Sequence, residues 1–155
     1  MLRVAMMAVA ALLVVPAMAW EDGPRCAVAR PADNDLKAYA ATFFAKAGDT
    51  GLEALATCLG DPDPAVRDGF AFTLWSEGLR GRHLTAAQMR QALTLLTSMA
   101  AGPEDADGFR RPFAVLALSE VARADRIEPY LSEAELHALA ETGAAYLRGV
   151  TDYRG

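Results

Sequence analysis

Apolar residues recur at helical spacing along most of this chain, and this pattern restricts its fold more than any other feature. Side chains three and four positions apart share one face of an α-helix, so each run predicts a helix with a face to bury. Short breaks separate the runs, and strand-like alternation does not extend over more than a few residues. The sequence therefore predicts an all-α fold of about six helices within a helical domain of residues 35–155.

Helix start signals support this division of the chain. Asp63 precedes Pro64, an arrangement that favours a helix start. The aspartate side chain can accept hydrogen bonds from the unpaired backbone N–H groups of the first turn, and proline has no backbone N–H that would need a partner. Two other helix starts have a capping-box spacing, in which a hydroxyl residue is followed three positions later by Glu or Gln. These pairs are Thr85 with Gln88 and Ser132 with Glu135.

The predicted third helix, residues 64–80, is apolar on two sides, which indicates an inner helix packed between neighbours. Gly69 lies within it, and we expect a glycine there to allow close approach of another helix, since it costs about 1 kcal/mol relative to alanine. One side carries Val66, Phe70 and Leu74, and the other carries Phe72, Trp75 and Leu79.

The N-terminus is typical of a cleaved export signal. Arg3 precedes the apolar run of residues 4–15, and Ala17-Met18-Ala19 forms a small-x-small cleavage site. We predict cleavage between Ala19 and Trp20, which makes residues 1–19 a signal peptide and the protein extracytoplasmic, either periplasmic or secreted. The alternative is an uncleaved anchor, but the run is shorter than the about 20 apolar residues that a span requires. The mature chain should contain no membrane span.

Residues 20–34 mix glycine, proline and charges without periodicity, so we predict an irregular N-terminal arm. The only cysteines are Cys26 in this arm and Cys58 at the end of the predicted second helix. Disulfides persist outside the cytoplasm, so one bridge between arm and helix is a candidate. The alternative is a free, partly buried Cys58.

Composition argues against several kinds of chemistry. Without the leader the chain has 14 basic against 20 acidic residues, a formal charge of −6, which is unfavourable for nucleic-acid binding. His83 and His137 have no partners at metal-ligand spacing, so we predict no metal site and no cofactor. Ser76 and Ser119 lie within predicted helices and lack a nucleophile-elbow motif. The chain is therefore more consistent with a non-enzyme.

Four polar residues remain as candidate contacts for a ligand or partner: Asp68, Glu77, Arg110 and Arg111. If they converge in one cleft, arginine forks suit a carboxylate or phosphate, and the chain would be an enzyme or a binder of a small anionic ligand. The alternative is that the arginines form ion pairs with Asp68 or Glu77 between adjacent helices.

The run from Leu59 to Asp68, with its Asp-Pro turn and Val-Arg pair, resembles the turn and second-helix start of HEAT-type repeats. This resemblance implies antiparallel helix pairs in stacked layers. A longer segment, residues 59–155, resembles an uncharacterised all-helical domain-of-unknown-function family. The motifs are Asp61-Pro62 with Arg67-Asp68-Gly69, Phe109-Arg110-Arg111 with Phe113, Pro129-Tyr130-Leu131-Ser132 with Glu133 to Leu136, and Asp152-Tyr153-Arg154-Gly155.

The resemblance implies that this family continues after the Arg-Gly with further helices, so that this chain corresponds to its N-terminal half. The last predicted helix would then lack a neighbour over its apolar stripe of Leu136, Leu139, Leu147 and Val150. Exposed apolar surface of that kind marks contact sites. The sequence thus favours an exported helical module that binds another protein or a second copy of itself.

Overall fold

The computed structural model describes residues 26–151, and it contains six helices and no strand within that range. The all-α prediction is therefore confirmed. The predicted signal peptide and its cleavage site lie outside the described residues. The helices are α1 (Leu36–Lys46), α2 (Asp49–Thr57), α3 (residues 64–80), α4 (Ala86–Ala101), α5 (Arg110–Ile127) and α6 (Glu133–Gly149).

Local capping fixes the starts of three helices as the sequence indicated. Asp63 accepts a hydrogen bond from the backbone amide of Ala65 at the start of α3. Thr85 and Ser132 each form a complete capping box, with reciprocal bonds to the third residue of α4 and α6. These starts are determined by side chains adjacent in sequence, which is why they were predictable.

Helix α3 is not uniform, contrary to the prediction of a regular helix. It begins as one α-helical turn, Pro64–Val66, continues as a π-helical segment, Arg67–Phe72, and ends as the α-helix Thr73–Arg80. Within this run the Thr73 hydroxyl donates to the carbonyl of Asp68, 3.0 Å away. A π-helical turn rotates the side chains that follow relative to those before it, so the two halves of α3 present different faces.

The core is centred on α3, which contacts α1 on one side and α5 on another. Leu74 and Trp75 of α3 are completely buried, and the ring of Trp75 lies 5.9 Å from that of Phe44 in α1. The prediction of an inner helix is thus confirmed. Helix α4 contacts α2, α5 and α6. Contacts between alternate helices fit stacked pairs, and the HEAT-like antiparallel pairing stays a prediction.

The close helix approach occurs at Gly78 and not at Gly69. Gly69 is exposed, and a Cβ added to it would lie 3.9 Å from the nearest atom, the Pro64 carbonyl oxygen. A Cβ added to Gly78 would overlap the ring of Phe44. The expectation for Gly69 was therefore wrong, because the π-helical segment around it turns that position toward solvent.

The part of the N-terminal arm that the structure describes, residues 26–34, is attached to the helical core. Cys26 and Cys58 form a disulfide, with Cα atoms 4.4 Å apart and a sequence separation of 32. The Cys26 amide donates to the Asp61 carboxylate at 3.2 Å, and the Tyr39 hydroxyl donates to the Ala29 carbonyl at 3.0 Å. A covalent bond and two hydrogen bonds therefore hold the arm, although residues 26–30 have no regular secondary structure.

Candidate interaction surface

The four polar candidates have separate surroundings. Asp68 is half exposed and pairs with its neighbour Arg67, whose Nε lies 2.8 Å from the carboxylate. Glu77 is half-buried on the α-helical half of α3. No ion pair joins Asp68 or Glu77 to Arg110 or Arg111, all four of which are described residues.

The two arginines at the start of α5 make different contacts. The Arg110 backbone amide donates to the Asp105 carboxylate at 3.1 Å. The Arg111 side chain donates from Nε to the Ala100 carbonyl at 3.1 Å, and its guanidinium lies 5.7 Å from the centre of the Tyr146 ring. Arg111 therefore joins α5 to the end of α4 and to α6, which is a role in packing.

Arg67 is the buried cation of this region, with a guanidinium that contacts two aromatic rings. Its guanidinium carbon lies 3.7 Å from the centre of the Phe109 ring and 4.9 Å from that of Phe113. The same group donates to the carbonyls of Asp61 and Pro62 at 3.1 and 3.2 Å. With the two bonds to the Asp68 carboxylate, these contacts occupy four of the five guanidinium N–H groups, so Arg67 stabilises the turn before α3.

A second ion pair, between Arg80 and Glu120, was not anticipated from the sequence. The two groups are 40 positions apart and join α3 to α5 by a two-point hydrogen-bonded contact. Glu120 is buried, and the hydrogen bond from Arg80 lowers the pKa of its carboxyl. No local spacing reveals such a pair, because only the packing of α3 on α5 brings the two residues together.

A groove of about 320 Å³ lies between the ends of α3 and α5. Its wall includes Leu84, Met89 and Ile127, and Arg82 pairs with Glu128 at 3.3 Å among its lining residues. Burial raises the pKa of Tyr130, another lining residue, to about 12. This groove contains none of the four polar candidates, and each of its three charged lining residues is in an ion pair, Arg82 with Glu128 and Arg80 with Glu120.

Helix α6 differs from the other long helices because none of its residues is buried. Its inner side rests on the rest of the protein through half-buried Leu139, which packs against the core, and through Tyr146 beneath Arg111. Glu135 adds an ion pair with Arg90 at 3.6 Å, and hydrogen bonds from the backbone amide and hydroxyl of Ser132 lower the pKa of the Glu135 carboxyl. The helix is attached through one side by a few contacts.

The predicted apolar stripe of α6 is exposed along one edge and half-buried along the other. Leu136 and Leu147 are exposed, with 38% and 64% of their surface accessible, while Leu139 and Val150 are half-buried. Exposed Ala140 and half-buried Gly143 lie between the two exposed leucines, and a Cβ added to Gly143 would have no neighbour within 4 Å. We call these four residues, Leu136, Ala140, Gly143 and Leu147, the outer stripe.

The helix before α6 is covered more completely. In α5, Val121 is fully buried and Phe113 is half-buried, whereas Leu116 is 45% exposed. Ile127, the last residue of α5, is 52% exposed, so each of these two helices carries two exposed large apolar side chains. Among residues 26–151, no group of three or more His, Cys, Asp or Glu side chains is placed to hold a metal ion. No helix in the same range is long and apolar enough to cross a membrane.

The fold belongs to the all-α class, and the C-terminal part of the chain matches one family model. Residues 95–155 match a family described as "Protein of unknown function (DUF2785)". Among the described residues, this segment contains the second part of α4 and all of α5 and α6, so it includes the outer stripe. No curated protein and no solved structure matches the chain. The resemblance to an uncharacterised family is thus supported over residues 95–155, and the correspondence to an N-terminal half stays a prediction.

Proposed function

We propose that this protein is an exported all-helical module that binds another protein chain through the outer stripe of α6. The observation that carries the proposal is the position of Leu136 and Leu147, two large apolar side chains exposed on a helix without buried residues. Contiguous exposed apolar surface on a folded domain tends to mark a contact site.

The way α6 is attached supports this role. Its inner side is fixed by Leu139, by the Arg111 and Tyr146 contact and by the ion pair to Arg90, so the adjoining strip of the helix with Leu136 and Leu147 is held facing solvent. A contact surface on a well-placed helix loses less conformational entropy on binding than a surface on a loop. The capping box at Ser132 also fixes where the helix begins.

Export is supported by the leader sequence and by the covalent attachment of the arm. The signal-like segment ends at Ala19, and the disulfide between Cys26 and Cys58 is of the kind that persists in oxidising compartments. The intact mass of the exported protein should correspond to a chain that begins at Trp20. A mature species that retains residues 1–19 would contradict this part of the proposal.

An enzyme or small anionic-ligand binder is the weaker alternative. It required Asp68, Glu77, Arg110 and Arg111 to share one cleft, whereas Asp68 pairs with Arg67 and Arg111 bonds to the Ala100 carbonyl. The side chains of Asp68 and Arg111 are therefore engaged within the protein, and no ion pair joins Glu77 to Arg110 or Arg111. An apolar contact surface needs no such convergence, and this is why we favour binding of a protein.

Site-specific photo-crosslinking in the producing cells tests the proposal. A photoreactive phenylalanine analogue placed at Leu147 should give covalent adducts of higher mass in the exported fraction. The matched control replaces Ala41, an exposed residue of α1, a helix without a major contact with α6. Adducts at position 147 and none at position 41 would support the outer stripe as the contact surface. Equal labelling at both positions, or none at position 147, would contradict it.

A further inference from the structure

The outer stripe has the same order of side-chain sizes when read from either end. Leu136 is followed by Ala140 after four positions, by Gly143 after three more, and by Leu147 after four more. A large residue thus stands at each end and two small residues stand in the middle. The pattern is symmetric about the midpoint between Ala140 and Gly143.

Such a pattern is complementary to itself when two helices run in opposite directions. With the midpoints superposed, Leu136 of one helix lies against Leu147 of the other, and Ala140 lies against Gly143. Small residues at the centre allow the helix axes to approach to about 8 Å, the close end of the usual range. The open space around the Gly143 position leaves room for that approach.

The charges on α6 favour the same direction. Glu133 is exposed in the first turn, and Arg148 is exposed in the last turn, where its guanidinium lies 3.5 Å from the Glu141 carboxylate. An antiparallel pair brings the acidic end of each helix toward the basic end of the other and opposes the two helix dipoles. A parallel pair would bring like charges together at both ends.

We infer that the occupant of the outer stripe is a second copy of this chain, bound with its α6 antiparallel about a two-fold axis near Ala140 and Gly143. The inference rests on the proposed function and specifies its partner. In a two-fold dimer the same patch serves both copies, so a surface used in this way must be complementary to itself. The outer stripe meets that requirement in side-chain size, and the opposite charges of Glu133 and Arg148 near the two ends of α6 meet it in sign.

The dimer should be weak, because one helix offers a limited area. Seventeen residues of α-helix are about 25 Å long, so two such helices bury less than the about 1,600 Å² of a standard interface. We expect dissociation constants in the range of roughly 10 to 100 µM. The solution mass should therefore rise with protein concentration.

Cysteine crosslinking under oxidising conditions tests both the partner and the direction. In the antiparallel pair, residue 136 lies beside residue 147 of the other copy, whereas two residues 136 are separated by about 16 Å along the axis. A disulfide requires Cα atoms within about 7 Å. A mixture of the Leu136→Cys and Leu147→Cys proteins should therefore give about tenfold more covalent dimer than either protein alone. Ala41→Cys mixed with Leu147→Cys is the matched control, and the native Cys26 and Cys58 bridge is retained in every variant.

Each outcome has a definite meaning. Preferential crosslinking in the mixture supports the antiparallel dimer. Crosslinking that is as strong in each single-variant sample, or that is no stronger than the Ala41→Cys control, overturns it. If the mixture fails while the photoreactive residue at position 147 captures a different protein, the second copy is excluded and the proposed function stands. If both experiments fail, the outer stripe is not a contact surface.

Discussion

Helices α3 and α6 both carry apolar residues on more than one side, yet the protein uses them differently. In α3 the apolar residues meet α1 on one side and α5 on another, so Leu74 and Trp75 are completely buried. In α6 no residue is buried, and Leu147 is 64% exposed. The comparison shows that an apolar helix is internal only if neighbours exist on each apolar side, and α6 has neighbours on one side.

The two regions also differ in what holds them. The core around α3 is held by aromatic and aliphatic packing, with Phe44 and Phe70 almost fully buried in the same apolar cluster as Trp75. Helix α6 rests on Leu139 and on polar contacts to Arg90 and Arg111. Changes in the core should therefore lower the free energy of unfolding strongly, whereas changes on the outer stripe should alter association and leave the fold intact.

The largest effect is expected for Trp75→Ala. Removal of a fully buried aromatic side chain leaves a cavity between α1 and α3 and should lower the free energy of unfolding by about 3 to 5 kcal/mol. Chemical denaturation monitored by circular dichroism gives this value. The control is Leu147→Ala, which we expect to change the free energy of unfolding by less than about 0.5 kcal/mol. Similar losses in the two variants would remove the contrast between the regions.

Loss of the disulfide should have the next largest effect. Replacement of Cys26 and Cys58 by serine opens a loop of 32 positions, and the chain-entropy estimate for a loop of that length is about 3 to 4 kcal/mol. Denaturation of the double variant beside the oxidised native protein measures the difference. Two free thiols in the folded, non-reduced protein would show that the arm is not covalently attached.

Glu120→Gln should lower stability at neutral pH by about 2 kcal/mol, because the charged contact with Arg80 is lost. The folded-state pKa of the Glu120 carboxyl is lowered, so its contribution is present above the unfolded pKa of about 4.3 and is lost as pH falls through the folded value. The stabilities of the native protein and the variant should thus converge in acid. A constant difference from neutral pH down to acid would contradict this account.

The smallest expected effects on stability are those of substitutions on the inner side and the outer stripe of α6. Leu139→Ala removes an inner contact with the core and should lower the free energy of unfolding by about 1 to 1.5 kcal/mol, less than for a fully buried leucine. Leu136→Ala on the outer stripe should be close to neutral for stability and should reduce association. If the two variants lose equal stability, α6 has no distinct inner and outer sides.

The sequence predicted the features that depend on neighbouring residues. The Asp63 cap and the capping boxes at Thr85 and Ser132 were predictable because each motif carries its own hydrogen-bond partners within three positions. The spacing of Leu74 and Trp75 likewise identified α3 as an inner helix. The six helices follow from these local signals and from the periodic apolar pattern.

Features that depend on tertiary packing were missed or misplaced. The stacking of Arg67 on Phe109 and Phe113 joins residues more than 40 positions apart, and no local pattern distinguishes it from an ion pair. The close approach was assigned to Gly69 although it occurs at Gly78, since the position of a glycine on its helix depends on the π-helical segment before it. For α6 the sequence predicted an apolar stripe. It did not indicate which of its residues would be exposed, because that depends on how α6 packs on α4 and α5.

Hydrogen–deuterium exchange at two protein concentrations tests the contrast between the core and α6 most directly. In dilute solution the amides of α6 should exchange much faster than those around Trp75, because α6 has no buried residue. At high concentration exchange in α6 should slow, while exchange around Trp75 should stay the same. Amides of α6 that are as protected as the core in dilute solution, or that exchange at the same rate at both concentrations, would contradict the account.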